Sequence, residues 1–458
     1  MPLPKSMFLL AGLAWGLLLP GCRTTSSREA LAEPAGQYVI LISKATDGMP
    51  DWRAVATTLA QRHRGARILI YETQPTTVLP ALQAQPPRWL CWVARPEELG
   101  AQPVAGMHRL CRSIDADPYT DVFWGIVTGD TAATAAALAS PGAPLTVRKV
   151  VANTEFAMEC VETGKWFSEL RAGEVWSKQK GGQAVKVAGE ADSTAGLVKA
   201  FNDERPDAIL TSGHASEQDW QPGYAYRNGV FVQKDGRIIG KALDGSVQTV
   251  DSPNPKVYLG IGNCLIGNVP GKPGCMATAW MAGGGVRQFV GYTVPTWYGY
   301  GGWGVLDYFI EQPGRYSLTE AFFANQQALV WRLAGQPAAD DRRGLEYDSD
   351  HVAFYGDPQW DARLAPGPLR WREEFRETAP GEFTWTVTPT AGDQSFATVN
   401  RNGSQRGGRP LVRFLPRRFA SMELLEGARW QPFLADDFIL LPRPAGPVEK
   451  ITIRFKGK

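Results

Sequence analysis

The chain has 458 residues, 44% of them hydrophobic and 16 of them tryptophan, which excludes a compositionally disordered protein. At roughly 100 to 200 residues per domain, this length predicts about three domains. Lys and Arg number 48 against 46 Asp and Glu, and no long basic run carries interleaved aromatics, which argues against nucleic acid as a partner.

The chain opens with Lys5, an apolar run from Met7 to Leu19, and then Leu19-Pro20-Gly21-Cys22. The run is shorter than the roughly 20 residues that span a bilayer, which argues against a permanent transmembrane helix. Residues 1–21 resemble a bacterial lipoprotein signal peptide; a plain secretory signal is the alternative. The resemblance implies cleavage before Cys22, diacylation of Cys22, a tether over 22–36 and a place in the cell envelope. Arg23 after the cysteine favours the outer membrane by the habit of that family. Cys91, Cys111, Cys160, Cys264 and Cys275 then remain. Their odd number leaves a thiol unpaired, or paired between molecules, in an oxidising compartment. No cysteine or histidine spacing suits a structural zinc site.

Over 37–150 the chain alternates between two patterns. Tyr38–Ile42, Arg67–Tyr71, Trp89–Val93 and Val122–Ile126 read as apolar strands. Asp51–His63, with Trp52, Val55, Ala56 and Leu59 on one face, and alanine-rich Thr131–Leu138 read as helices. A second alternating block, 151–365, begins loop-rich and then sharpens. It predicts helix Ser193–Phe201, strands Asp207–Thr211 and Lys256–Ile261, helix Gly274–Met281, strand Val286–Tyr292 and helices Val305–Glu311 and Leu318–Leu333. Ser317 and Glu320 have capping-box spacing before the last of these, and Gly335 follows it. Strands alternating with helices predict an α/β fold with a parallel sheet covered on both faces. From 366 to 458 the period becomes two, as in Phe383, Trp385 and Val387 and again in Ile451, Ile453 and Phe455, predicting an immunoglobulin-like β-sandwich.

Two stretches carry the chemistry. "DAILTSGHAS" and "VYLGIGNCLIGN" are apolar strands ending in Gly213-His214-Ala215 and Gly262-Asn263-Cys264. Strand C-termini in an open parallel sheet form a ligand crevice, so two such strands would present an imidazole and a thiol to one cleft. A free thiol, with a pKa of about 8.5, is mostly protonated at neutral pH. A nearby imidazole helps generate the thiolate and can later protonate a leaving amine.

A hydrophobic block ending in His, followed 50 residues on by one ending in Cys, resembles the caspase, legumain and gingipain clan of cysteine peptidases. "DPYTDVFWGIV" from Asp117 and "YGDPQW" from Tyr355 are similar to segments of its gingipain branch. The resemblance runs from about Val39 to Pro358 and implies a caspase-like parallel-sheet sandwich in two sub-domains. It implies a cysteine endopeptidase acting on peptides or proteins, with Cys264 as nucleophile, His214 as general base and acid, and no required cofactor. It assigns the oxyanion hole to the backbone N–H groups of Ala215 and Cys264. Ala215 departs from the usual His-Gly; alanine keeps that N–H, so the hole survives if the local φ is negative, whereas a positive φ would strain the site. The caspase pentapeptide Gln-Ala-Cys-x-Gly is absent. Glu217, Asp219 and Asp244 stand as candidates to orient His214.

Gly299-Tyr300-Gly301-Gly302-Trp303-Gly304 matches the dinucleotide pattern GxGxxG, but it lies late in the chain and bulky aromatics fill its variable positions. The resemblance places this segment beside the cysteine, which makes Trp297, Tyr298 and Trp303 candidates for a substrate wall, with packing the other reading. Asp340, Asp341, Glu346, Asp348 and Asp350 lack regular calcium-ligand spacing and read as a solvated loop; a calcium ion there is the alternative. Asn402-Gly403-Ser404 is a formal glycosylation acceptor. A catalytically inactive envelope scaffold and a solute-binding lipoprotein remain open as functions, as does transpeptidation in place of hydrolysis.

Overall fold

A computed structural model describes residues 36–399 and 407–458; the signal-peptide and Cys22 readings and Asn402-Gly403-Ser404 fall outside them. Twelve strands form one sheet: β1 (Tyr38–Ser43), β2 (Arg67–Tyr71), β3 (Trp89–Val93), β4 (Phe123–Val127), β5 (Lys149–Ala152), β6 (Thr163–Phe167), β7 (Glu174–Lys178), β8 (Val185–Ala188), β9 (Ala208–Gly213), β10 (Lys256–Asn263), β11 (Val286–Tyr292) and β12 (Val352–Tyr355). Their spatial order is β2-β1-β3-β4-β12-β11-β10-β9-β5-β6-β7-β8. The first five of these run parallel to one another, and so do β11, β10, β9, β5 and β6. The two groups meet head to tail, because β11 and β12 pair antiparallel. The chain thus holds two parallel half-sheets of opposite direction, the pair of α/β sub-domains expected of a caspase-like fold.

Strands buried on both faces need continuous apolar sequence. Val39, Ile40, Leu41 and Ile42 are all fully buried, and each stabilises the fold by about 2 kcal/mol relative to an exposed position. Helices cover the faces: α1 (Pro50–Arg62), α2 (Ala101–Cys111), α3 (Ala132–Ala139), α4 (Thr194–Glu204), α5 (Met276–Ala282), α6 (Tyr300–Phe309), α7 (Leu318–Ala334) and α8 (Ala339–Ser349). The predicted box at α7 is formed: Glu320 N donates to Ser317 Oγ at 3.1 Å and Ser317 N to Glu320 Oε2 at 2.8 Å. An antiparallel four-stranded sheet, from Asp219–Trp220 to Val247–Thr249, is inserted between β9 and β10. In the Gly356-Asp357 segment, the Asp357 carboxylate is fully buried and accepts from Tyr38 Oη at 2.8 Å and from His63 Nε2 at 2.8 Å. That carboxylate locks the end of β12 to β1 and α1.

The described residues of the C-terminal part form seven strands in two antiparallel sheets, β13 (Trp371–Ala379), β14 (Glu382–Pro389), β15 (Leu411–Phe414), β16 (Met422–Glu426), β17 (Phe433–Leu434), β18 (Phe438–Leu441) and β19 (Ile451–Gly457). The orders are β13-β14-β19-β16 and β15-β18-β17, a four-plus-three sandwich of immunoglobulin-like kind. Alternation along β18 serves two cores: Ile439 and Leu441 face the sandwich interior, while Phe438 and Leu440 join the core of the α/β body. The sandwich is therefore fused to the body along its three-stranded sheet.

Candidate functional site

Ser212 and Gly213 of β9 pair with Gly262 and Asn263 of β10. The next residue on each strand is His214 and Cys264, so both leave neighbouring parallel strands, about 4.8 Å apart, at the same sheet edge. Glycine is required before the histidine: Gly213 has φ +110°, and a Cβ there would lie 2.5 Å from Gln221 O. On the other strand a Gly262 side chain would collide with Ser212 Oγ and the Trp303 ring.

Beyond β9 the chain turns back as a tight hairpin. Ala215 bridges Trp220, flanked by hydrogen bonds from Gln221 N to His214 O (2.7 Å) and from Ser216 N to Asp219 O (2.9 Å). This is the non-hydrogen-bonded pairing geometry, in which the bridged residues' own N–H groups point out of the ladder. Ala215 is absent from the residues with positive φ, so it holds its outward N–H without left-handed backbone. The residue that does take that conformation is Leu265, at φ +58°, immediately after Cys264.

His214 is exposed, and its ring stacks on Tyr224 with centroids 5.1 Å apart. The Tyr224 loop is itself anchored, since Tyr224 N and Ala225 N both donate to Glu169 O, at 2.8 and 3.1 Å. The Cys264 thiol is partly buried against the segment that follows β11: Thr296 N donates to Sγ at 3.2 Å, and Sγ faces Thr296 O at 3.8 Å. Thr296 Oγ1 donates to Asn263 O at 3.2 Å, and Leu265 N to Val294 O at 3.1 Å. Among the described residues the His214 ring nitrogens and Sγ are not hydrogen-bonded to each other; catalytic pairs commonly close only when substrate binds. None of the three orienters expected from sequence hydrogen-bonds the His214 ring, and two of them have other partners. Glu217 accepts from Asn268 Nδ2 at 2.9 Å, Asp219 lies in the hairpin strand, and Asp244 caps Ser246 N at 2.8 Å in the inserted sheet.

Of the three aromatics named above, Trp297 is 48% exposed, whereas Tyr298 and Trp303 are buried. Trp297 packs on Tyr347, whose hydroxyl donates to Pro295 O at 2.7 Å. Tyr298 Oη donates to Asp341 at 2.8 Å. The glycine-rich segment that follows opens α6, and its first amides are taken by protein groups. Gly301 N donates to Asp348 Oδ2 at 2.8 Å and Gly302 N to Tyr292 Oη at 2.9 Å. Its glycines allow close approach, since a Cβ on Gly302 would strike Ile261 O and one on Gly304 would strike Asn325 and Arg409.

The acidic stretch forms α8 and not a loop. Its carboxylates diverge: Asp340 pairs with Arg343, Asp341 with Arg332, and Asp350 with Arg109 and Arg112, while Asp348 turns inward, its carboxyl pushed up to about 6 by burial. Among the described residues, Asp115, Asp117 and Asp121 bring carboxylate oxygens within 4.8 Å of one another. The Arg418 guanidinium lies 3.6 Å from Asp121 and 2.5 Å from Asp436, so a protein cation already serves that cluster. Cys91, Cys111 and Cys275 are buried free thiols, Cys160 is partly buried, and Cys275 sits at the start of α5. No described helix is long and apolar enough to cross a membrane.

Three site residues escaped the sequence reading. Nothing in sequence marks Thr296, which reaches Cys264 from the segment after β11, or Tyr224, which stacks on His214 from just beyond the hairpin. Asn263 could have been noticed, as a polar residue ending an apolar strand directly before the cysteine.

No family model and no curated protein matches the chain. Among solved structures the chain is similar to the complex of Porphyromonas gingivalis RgpB pro- and mature domains, at 11% identity and a TM-score of 0.44, over 90% of this chain and 94% of that one.

Proposed function

We propose that the protein is a cysteine peptidase that forms an acyl-enzyme on Cys264. The observation that carries this reading is the register of β9 and β10, which sets an imidazole and a thiol on adjacent strand ends beside an outward-facing amide. The Cys264 sulfur gives its proton to His214 and attacks the scissile carbonyl carbon. The amides of Ala215 and Cys264 hold the resulting oxyanion. His214 then protonates the departing amine and activates the water that releases the acyl group; an amine in place of water gives transpeptidation. Trp297, exposed beside Thr296, forms part of the wall against which a peptide lies. The chemistry needs no cofactor, and neither calcium nor nucleic acid has a role in it. In this reading Cys22 carries a lipid that holds the enzyme at the bacterial envelope.

One arrangement favours a second reading. The thiol is bonded to Thr296, and no described residue hydrogen-bonds the His214 ring, as would suit an inactive scaffold. Labelling with a panel of peptidyl acyloxymethyl ketones separates the two. The peptidase reading expects labelling of the wild type that Cys264→Ala and His214→Ala each abolish; a folded protein inert to the whole panel would shift the assignment to the scaffold.

A further inference from the structure

We propose that Asn263 is a positioning residue that sets the placement of Cys264 against His214, an inference that rests on the peptidase reading above. The ladder between β9 and β10 is weakest just before the site. Thr211 pairs with Gly260 but Ser212 with Gly262, so Ile261 is bulged out of register. Past the bulge comes Gly213, whose φ of +110° no side chain helps to fix. Backbone pairing alone is a loose hold on the two reactive residues that follow.

The Asn263 side chain spans that gap. It is fully buried, its Oδ1 accepts from Thr211 Oγ1 at 2.6 Å, and its Nδ2 donates to Gly213 O at 3.1 Å. Thr211 Oγ1 is tied in turn to Tyr258 Oη at 2.8 Å. The amide can sit only one way round, because a carbonyl oxygen only accepts, so nitrogen must face Gly213. The carboxamide thus grips the peptide immediately before His214 from the residue immediately before Cys264. Its main-chain oxygen also receives Thr296 Oγ1, which ties in the segment whose amide touches Sγ. A buried amide is costly unless its polar atoms are satisfied. Here both are, and an apolar residue would fill the space without fixing the Gly213 carbonyl.

The test is the rate of Cys264 alkylation by iodoacetamide as a function of pH, followed by peptide mass spectrometry. It compares the wild type with Asn263→Ala, Thr211→Val and His214→Ala. At pH about 6.5, His214→Ala and Asn263→Ala should each react roughly tenfold more slowly than wild type, and all should converge by pH about 9, where any accessible thiol ionises. Thr211→Val, which removes only the hydroxyl bonded to Oδ1, should fall between the wild type and those two variants, about threefold down. A role limited to packing would leave the profile unchanged. The proposal is overturned if His214→Ala loses the low-pH reactivity while Asn263→Ala and Thr211→Val keep it. Should Asn263→Ala fail to fold by circular dichroism, the isosteric Thr211→Val decides alone. If His214→Ala itself keeps the wild-type profile, the peptidase reading fails first.

Discussion

Arg409→Met tests whether the C-terminal sandwich supports the wall of the site. Arg409 is buried, like its partner Asp307. Its guanidinium donates to Asp307 Oδ2 at 2.7 Å, Asn325 Oδ1 at 2.7 Å and Tyr300 O at 3.0 Å, and it lies 4.1 Å over the Tyr300 ring. Three bonds from a charged donor, at about 1.5 to 3 kcal/mol each, amount to roughly 5 to 9 kcal/mol. Methionine returns about 2 kcal/mol through burial. Removing one partner of a buried ion pair generally costs about 3 to 5 kcal/mol, and the expected loss is about 4 kcal/mol. The double change Asp307→Leu with Arg409→Met should lose less than about 2 kcal/mol, since no buried charge remains. Urea unfolding followed by tryptophan fluorescence measures both, through the midpoint at unchanged slope. A single-variant loss below about 1 kcal/mol, or a double variant as costly as the sum of its parts, would refute the reasoning. Tyr300 begins α6 just after Trp297 and Tyr298, so the single variant should also label more slowly with acyloxymethyl ketones.

Two further outcomes follow from named geometry. Gly213→Ala sets a Cβ 2.5 Å from Gln221 O at φ +110°, so it should lower stability by about 1 to 3 kcal/mol and abolish Cys264 labelling; a variant that still labels at the wild-type rate would contradict the need for glycine before His214. His108 is buried, donates from Nε2 to Val352 O at 2.9 Å and is held down to about 4, chiefly by burial and next by Arg112. Its stabilisation is full above the unfolded value of about 6.5 and is lost as pH falls through that window, by roughly 2 kcal/mol at pH about 5. His108→Gln should therefore be less destabilising at pH about 5 than at pH about 7, and a pH-independent difference in urea midpoint would show that His108 does not titrate this way.

Sequence alone determined the strands that are apolar on both faces, and Trp89–Val93 and Val286–Tyr292 stand at their predicted bounds. Such runs leave no other way to bury their side chains. It also determined the α7 cap, because Ser317 and Glu320 satisfy each other within one turn. Helices whose support is not local stayed hidden. Gly301, Gly302 and Gly304 lower the intrinsic helicity of α6, and the helix begins five residues before its predicted start because Asp348, Tyr292 and Arg409 hold its first turns. α8 reads as a loop because its polar residues bury only Gly344, Leu345 and Asp348. In the site, the strand-end positions of His214 and Cys264 were legible, since each closes a hydrophobic run. Only the tertiary structure decided that β9 and β10 are neighbours in the register Gly213 to Asn263, that Thr296 and Tyr224 attend the pair, and that β11 meets β12 antiparallel. The physical reason is that hydrophobic periodicity reports whether a residue is buried, whereas strand order and direction depend on which buried surfaces, far apart in the chain, fit one another.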